Sequence, residues 1–537
     1  MKKYLSKTLV MLMTLLWTLA APVLAWAAEH NIIILHTNDI HCGIRDNLGF
    51  GGLAQIKKDT LAQTPNVALV DAGDAIQGAP IGKLSEGLAV VNIMNAVGYD
   101  FCIPGNHEFD YGMQRFLELV PLQHAGYYSA NFVDAHGKNV LPAYKIMDFE
   151  GTKVAFIGAT TPATLISSTP DFFQDGKGNY IYAFNEDKNG KKLYKELQKN
   201  INAVRKQGAE YVFIVGHLGM DGSLPKWNSE SIAKNTTGVD GVIDGHSHEK
   251  FERVVQNKKG KNVIIAQTGT KLASVGQITI TPEGKINTQL ITQASGKDAA
   301  VEQVISKEMQ TYEPLLKQPV GATSVQLRSY DPTSGERLVR KQECSLADFV
   351  TDAYKAVLDC DVVLVNGGAI RNEIKAGVIT YNDILEAFPF GNMTVVLEAT
   401  GQQIMDALEM AASKYPEENG AFLQVAGLSY TINSAVTPNI ECDEKGNFLR
   451  VAGERRVQDV LIAGQPLELD KVYTVGGISY NLKKGGDGMT MFAGCKVLRD
   501  EDLSDADAIM EYIQNHLNGK IGEQYANPYG EGRITIK

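Results

Sequence analysis

Cysteine is scarce: the 537-residue chain has six, at Cys42, Cys102, Cys344, Cys360, Cys442 and Cys495, and no two of them form a CxxC pair. That excludes a structural zinc ribbon, which needs closely paired thiolates. The spacing selects no disulfide pairing, and a fully thiol chain fits it equally well. Proline is also thin, 18 against 52 glycines, with no low-complexity tract, so fibrous and long disordered architectures are out. Past residue 27 no uncharged run approaches the roughly twenty apolar residues of a membrane span. Positive charge is in deficit: the formal balance is −11 and includes Lys2, Lys3 and Lys7 of the N-terminal segment. So acidic a chain offers no general surface to a nucleic-acid polymer, and a phosphate ligand must be held by local groups.

What is present starts with length: at about 150 residues per domain, the prior is two or more domains with sizeable cores. Residues 1–27 read as a signal peptide, with three lysines, an apolar run from Leu9 to Leu24 and the small residues of Ala25-Trp26-Ala27. Cleavage is expected before Ala28, giving a periplasmic or secreted protein with no stable membrane insertion.

The first half alternates β-rich runs with helical patterns. Asn31 to Leu35, Val67 to Val70, Lys153 to Ile157, Tyr211 to Val215, Val239 to Ile243 and Asn262 to Ala266 are the expected strands, several ending directly in Asp, Asn or His. This is α/β patterning with chemistry at strand ends. From Ala299 to Leu316 a helix is expected with Val301, Val304, Ile305 and Met309 on one face, broken by Pro319. A second α/β block follows, with strands at Val362 to Val365, Thr394 to Leu397 and Tyr473 to Gly476. The expected division is a first domain over 28–298, a connecting helix or hinge over 299–319 and a second domain over 320–537.

Five strand ends in the first domain carry ligand-type residues. Asp39 and His41 follow the first strand, and an extended segment would put these i, i+2 neighbours on one side. Asp71-Ala72-Gly73-Asp74 ends the next; Gly105-Asn106-His107-Glu108-Phe109-Asp110, Gly216-His217 and Gly245-His246-Ser247-His248 complete the set. Each motif alone has an ordinary reading as a turn. Together they hold His41, His107, His217, His246, His248 and arguably His36, six of the ten histidines. Glu108 reads as a turn carboxylate making local bonds.

In this order the blocks resemble the calcineurin-like metallophosphoesterases, and GNHEFD resembles their 5'-nucleotidase branch, over about residues 30 to 280. The resemblance implies a four-layer α/β/β/α sandwich binding two divalent metals. Asp39, His41 and His248 would hold the first, Asp74 would bridge, and Asn106, His217 and His246 would hold the second. Some relatives have glutamine where this chain has His248. Donors of nitrogen and oxygen without cysteine suit Zn²⁺ or Mn²⁺ and leave Mg²⁺, Co²⁺ and Ca²⁺ open. Asp110 would orient His107, which would stabilise charge on the phosphoryl group.

The second block contains Asn366-Gly367-Gly368-Ala369-Ile370-Arg371, Ala387-Phe388-Pro389-Phe390-Gly391-Asn392 and Gly485-Gly486-Asp487-Gly488. As an ordered set these resemble the C-terminal, substrate-binding domain of the 5'-nucleotidases. The resemblance maps substrate contacts to Arg340, Asn366, Gly368, Arg371 and Asp487, with Phe390 stacking on a base. Where the family has a second stacking aromatic, six residues before Asp487, this chain has Asn481, with Tyr480 one residue earlier. Either Tyr480 reaches the base or the sandwich is half missing. The resemblance further implies that the second domain swings about the connector. The expected activity is removal of the 5'-phosphate of nucleotides by an exported two-metal hydrolase, with cleavage of nucleotide-sugar pyrophosphates beside it. Its alternatives are a 2',3'-cyclic-nucleotide phosphodiesterase, a thiosulfohydrolase-like enzyme and a catalytically decayed nucleotide-binding surface protein.

Overall fold

The computed structural model describes residues 30–220 and 225–537; the expected signal peptide lies outside them. Two sheets make the first domain from β1 (Ile32–Thr37), β2 (Val67–Asp71), β3 (Phe101–Cys102), β4 (Tyr144–Phe149), β5 (Thr152–Thr160), β6 (Tyr211–His217), β7 (Gly241–Ile243), β8 (Lys250–Gln256), β9 (Asn262–Thr268), β10 (Val275–Ile280) and β11 (Ile286–Ile291). One sheet runs β11-β10-β1-β2-β3 and the other β8-β9-β7-β6-β5-β4. The strands leading to the site, β1, β2, β3, β6 and β7, pair in parallel, and β4, β8, β10 and β11 join antiparallel.

The side-chain period of two explains the layering. Ile32 and Ile34 of β1 face Phe156 and Val215 of the other sheet, in a core between the sheets. Ile33 and Leu35 point the other way, under α1 (Gly49–Leu61) and α2 (Leu88–Val97). On the far side, Ala155, Ile157 and Ile214 are covered by Leu193, Leu197 and Ile201 of α3 (Lys191–Lys206). The result is a helix, sheet, sheet, helix stack in which all strands that approach the site end at one rim.

The connector is two helices rather than one. α4 (Ala299–Gln310) starts at an Asp298 cap whose carboxylate accepts from the N–H groups of Ala300 and Val301. It lays Val301 and Ile305 on the first domain's core, with Val304 and Met309 beside them. A second helix covers Glu313–Leu316. Pro314 accounts for the break: it has no N–H, and its ring would strike the carbonyl of Gln310 in a continuous helix.

The second domain centres on a mixed sheet of β12 (Val362–Asn366), β13 (Met393–Thr400), β14 (Leu423–Ala426), β15 (Val472–Ile478) and β16 (Lys496–Ser504), ordered β14-β12-β15-β13-β16. α5 (Ser345–Leu358) covers the face with Val363 and Val365, and α6 (Gly401–Ala412) the face with Val362 and Leu364. All six cysteines are free thiols, four of them buried.

Candidate active site

At the rim of the first domain, two groups of donor atoms converge, each within 4.8 Å of one another: Asp39, His41 and His248 in one, Asp74, His217 and His246 in the other. One oxygen links them, since Asp74 Oδ2 stands 3.0 Å from His217 Nε2 and 3.8 Å from His41 Nε2. The route by which Asp39 and His41 converge is not the alternation of an extended strand. Both adopt left-handed backbone, φ 50° and 46°, as do Asp74, His246 and His248. The turn past β1, not the strand, aims both side chains.

Glycine makes room for this cluster. A Cβ on Gly105 would lie 2.2 Å from Asp74 Oδ1, and one on Gly245 would lie 2.9 Å from Asp39 Oδ2. Glu108 closes the frame: its buried carboxylate accepts from the backbone N–H groups of Asp74 (2.8 Å), Ala75 (2.7 Å) and Gly105 (2.7 Å). In return Asp74 Oδ1 accepts from the N–H of His107 at 2.8 Å. These reciprocal bonds tie the turn after β2 to the turn after β3, so Asp74 and Asn106 are set relative to each other by backbone.

The donor chemistry fits bound cations. His41 Nδ1 donates to the Gln77 carbonyl (3.0 Å) and His217 Nδ1 to the Ala72 carbonyl (2.8 Å), which turns both Nε2 lone pairs into the cluster. His41 Nε2 and His248 Nε2 are only 3.0 Å apart, a separation two lone pairs tolerate with a proton or cation between them. Asn106 Oδ1 is buried with no hydrogen-bond partner among the described residues, which leaves it free to accept from or bind a ligand in the cavity. His36 belongs to neither group; it is buried in the sheet against Gly276, and burial pulls its imidazole down to about 3.

Beside the cluster, His107 Nδ1 donates to Asp110 Oδ2 at 2.5 Å, and Asp110 Oδ1 accepts from Ser168 Oγ at 3.0 Å. Burial opposes protonation of His107, but Asp110 and Asp74 outweigh it and hold the imidazole above its ordinary range.

A cavity of about 1000 Å³ opens here, with the second domain as its other wall. Asp74, Asn106, His107, Asp110, His246 and His248 line one side, and Arg340, Asn366, Gly368, Arg371, Phe390, Tyr480 and Asp487 the other. Asp39, His41 and His217 sit behind the first wall, almost wholly buried. The Phe390 ring is 5.5 Å from that of His107, and the Arg371 guanidinium lies 5.3 Å over Phe390. Neither Arg340 nor Arg371 has an ion pair among the described residues, and Arg340 Nε is buried without a partner. Burial, then the neighbouring Arg371, pulls Arg340 down to about 9. Two half-buried guanidiniums with no carboxylate in ion-pair contact make a seat for an anion.

Asp487 is held by three side chains: Asn366 Nδ2 and Asn481 Nδ2 donate to its Oδ2 at 2.9 and 3.0 Å, and Tyr480 Oη lies 3.1 Å from its Oδ1. Asn481 is thus a buried structural amide. Sequence inspection missed Arg337, which lines the cavity, stacks on Tyr330 and pairs with Glu418 at 3.2 Å, and Asn392 and Lys414 on the same wall. No motif surrounds Arg337 or Lys414; Asn392 was visible at the end of the Phe-Pro-Phe-Gly-Asn block.

A four-layer sandwich with Asp, His and Asn donors at its strand ends, facing an anion seat, defines a metal-dependent phosphoric monoester hydrolase. Residues 32–250 match the calcineurin-like phosphoesterase family, and residues 319–494 match the 5'-nucleotidase C-terminal domain. The chain belongs to the 5'-nucleotidase family that joins these two domains. It is 26% identical over 576 residues to a 5'-nucleotidase of Vibrio vulnificus, covering 97% of each chain, and 25% identical to a 5'-nucleotidase of Rattus norvegicus, covering 97% of this chain and 94% of that one. Among solved structures, a 5'-nucleotidase precursor from Thermus thermophilus superposes with a TM-score of 0.78 at 25% identity over 94% of this chain and 99% of that one. A sulfate thiohydrolase of Thermus thermophilus shares the fold, with a TM-score of 0.70 at 19% identity over 94% of this chain and 96% of that one.

Proposed function

We propose that this protein is an exported two-metal hydrolase that removes the 5'-phosphate of nucleotides, with nucleotide-sugar pyrophosphates as further substrates. One observation carries the reading: the two donor groups and the Phe390–Arg371 pair share a single cavity, with His107 in contact with Phe390. A metal centre alone fits any phosphoester; an aromatic and two unpaired guanidiniums opposite it fit a nucleotide.

Asp39, His41 and His248 would hold one cation and Asn106, His217 and His246 the other, with Asp74 placed to serve both. Zn²⁺ or Mn²⁺ suits these donors best. When bound, the pair of cations neutralises phosphate charge and lowers the pKa of water at the site. The chain's own groups do the rest. Arg340 and Arg371 orient the phosphate. Asp110 accepts the Nδ1–H of His107 and, with Asp74, favours the doubly protonated imidazolium, whose Nε2–H is then available to the leaving oxygen. Phe390 offers its ring to the base. The cavity of about 1000 Å³ supports the larger substrates, because it leaves room beyond a monophosphate.

Export rests on the N-terminal lysines, apolar run and Ala25-Trp26-Ala27; N-terminal sequencing of the protein recovered outside the cytoplasm should begin at Ala28. The activity is tested on chelator-stripped protein with and without Mn²⁺ or Zn²⁺, measuring phosphate release from AMP and ATP, chromatographic appearance of the nucleoside monophosphate from UDP-glucose, NAD and 2',3'-cyclic AMP, and sulfate release from a thiosulfate conjugate. Metal-dependent turnover of AMP is expected. Turnover confined to the thiosulfate conjugate or to the cyclic nucleotide would replace this reading.

A further inference from the structure

One hydrogen-bonded chain crosses the cavity from the first domain into the second. Tyr480 Oη lies 2.8 Å from the backbone carbonyl of Ile166 and 3.1 Å from Asp487 Oδ1, its one proton going to the nearer carbonyl, and accepts from the Asp487 N–H at 3.2 Å. The Tyr480 ring lies along Gly486, where a Cβ would stand 2.4 Å from it. Asp487 in turn gathers the amides of Asn366 and Asn481. The bond to Ile166 thus connects the metal-bearing domain to both glycine loops of the other.

Ile166 is a docking point in its own right. It sits in the four-residue helix Thr164–Ser167, and a Cβ on Gly446 would lie 2.7 Å from its Cδ1. Gly446, at φ 96°, turns the hairpin between the strands Ile440–Cys442 and Phe448–Val451. The side chain of Ile166 therefore meets the hairpin while its carbonyl takes the tyrosine hydroxyl. Nearby, Lys445 lies 4.2 Å over the Tyr180 ring of the first domain.

We propose that Tyr480 is an interdomain positioning residue: its hydroxyl, bonded to the Ile166 carbonyl, holds the substrate wall against the metal wall, and the base is stacked by Phe390 alone. This deepens the phosphohydrolase reading above and rests on it. Arg340, Arg371 and Phe390 belong to the same domain as Tyr480. Losing the bond lowers the fraction of molecules in which they face Asp74 and His107, whatever the substrate. A stacking ring behaves differently: it acts only on substrates with a base and needs no hydroxyl.

Two variants separate these roles. Tyr480→Phe removes only the hydroxyl, and Tyr480→Ala removes the ring as well. Each is assayed for kcat/KM on AMP and on p-nitrophenyl phosphate, and for hydrogen–deuterium exchange of segments 164–168 and 444–447 without substrate. Loss of one neutral hydrogen bond should cost about two- to tenfold. Both variants should lose that much on both substrates, and the two segments should exchange faster while β1 and β12 keep their protection. Unchanged activity and exchange in Tyr480→Phe would overturn the proposal; a loss in Tyr480→Ala confined to AMP would then make Tyr480 a stacking ring. If Tyr480→Ala also deprotects β1 or β12, it has unfolded, and Tyr480→Phe alone decides. The exchange measurement needs no substrate, so a wild-type protein inert toward AMP would defeat the nucleotide reading without touching this result.

Discussion

The two walls of the cavity are built on opposite plans. The metal wall uses short side chains on unusual backbone: five of its seven candidate ligands have positive φ, a conformation that costs a non-glycine residue about 1–3 kcal/mol. The substrate wall sends long side chains, Arg340, Arg371 and Phe390, from backbone of ordinary φ. In the first case Gly73, Gly105 and Gly245 make space, and Glu108 binds one turn to the next. In the second, reach comes from side-chain length and from contact across the domain boundary. Catalysis needs geometry that does not move, and exchange of substrate needs a wall that does.

The sharpest break in this comparison is Asp74→Ala, which removes an oxygen that reaches both donor groups and stands 3.0 Å from His217 Nε2. Turnover should fall by more than about 10³, because two cations without a shared counter-charge repel. Metal content by atomic emission should fall with it. Retention of more than about a tenth of the activity would deny Asp74 the bridging position.

Next in size is the contrast between His107→Ala on the rigid wall and Arg371→Ala on the other. The first should cut kcat by about 10² to 10⁴, and the second should appear mainly in KM. Matching kinetic phenotypes would mean the two walls do not divide chemistry from binding. Phe390→Ala is milder: stacking is worth about 1–3 kcal/mol, so kcat/KM for AMP should drop at least about tenfold with p-nitrophenyl phosphate nearly unaffected. An equal loss on both substrates would make Phe390 a support for His107 instead of a base contact.

The smallest effect concerns the junction between the walls. Asp505, almost fully buried in the second domain, lies 3.9 Å from Lys83 of the first and accepts from the Asn392 N–H at 3.1 Å. Burial, partly offset by Lys83, raises its carboxyl to about 6. Between about pH 4 and 6 the folded chain keeps a proton that the unfolded chain has released, so the stability this group contributes is lost as pH rises through that window. Asp505→Asn retains an acceptor for Asn392 and cannot titrate. Without this negative contribution the slope of melting temperature against pH from 4 to 6 should become more positive in that variant, and an unaltered slope would remove Asp505 from the account.

Much of this molecule was legible before folding. The unbroken apolar runs Ile32 to Leu35 and Val362 to Val365 report strands covered on both faces, because side-chain direction repeats every two residues. The candidate ligand residues were legible because each lies within a few positions of a strand end, and Asp74, Asn106, His217 and His246 directly follow a glycine. Chemistry that depends on local spacing leaves a local trace. The extended pairing expected for Asp39 and His41 was the wrong route to the right neighbourhood: the positive φ at both positions is imposed by the turn packing under Gly78 and Lys271, and nothing local signals it. The break at Pro314 was readable and was passed over in favour of the apolar periodicity around it.

Taken alone, then, the order of residues determined the elements, the donor set at the strand ends and the glycines that make room for it, since propensity, period and motif spacing are properties of contiguous chain. Only the tertiary structure decided that one oxygen of Asp74 reaches both donor groups, that Arg337 joins the cavity, that Asn481 is spent on Asp487 and that the Tyr480 hydroxyl ends on the carbonyl of Ile166. Those pairs are separated by up to 314 positions in the chain. Contact at such a distance is set by how two cores dock, and, the neighbours Asn481 and Asp487 apart, no short window of sequence contains both partners.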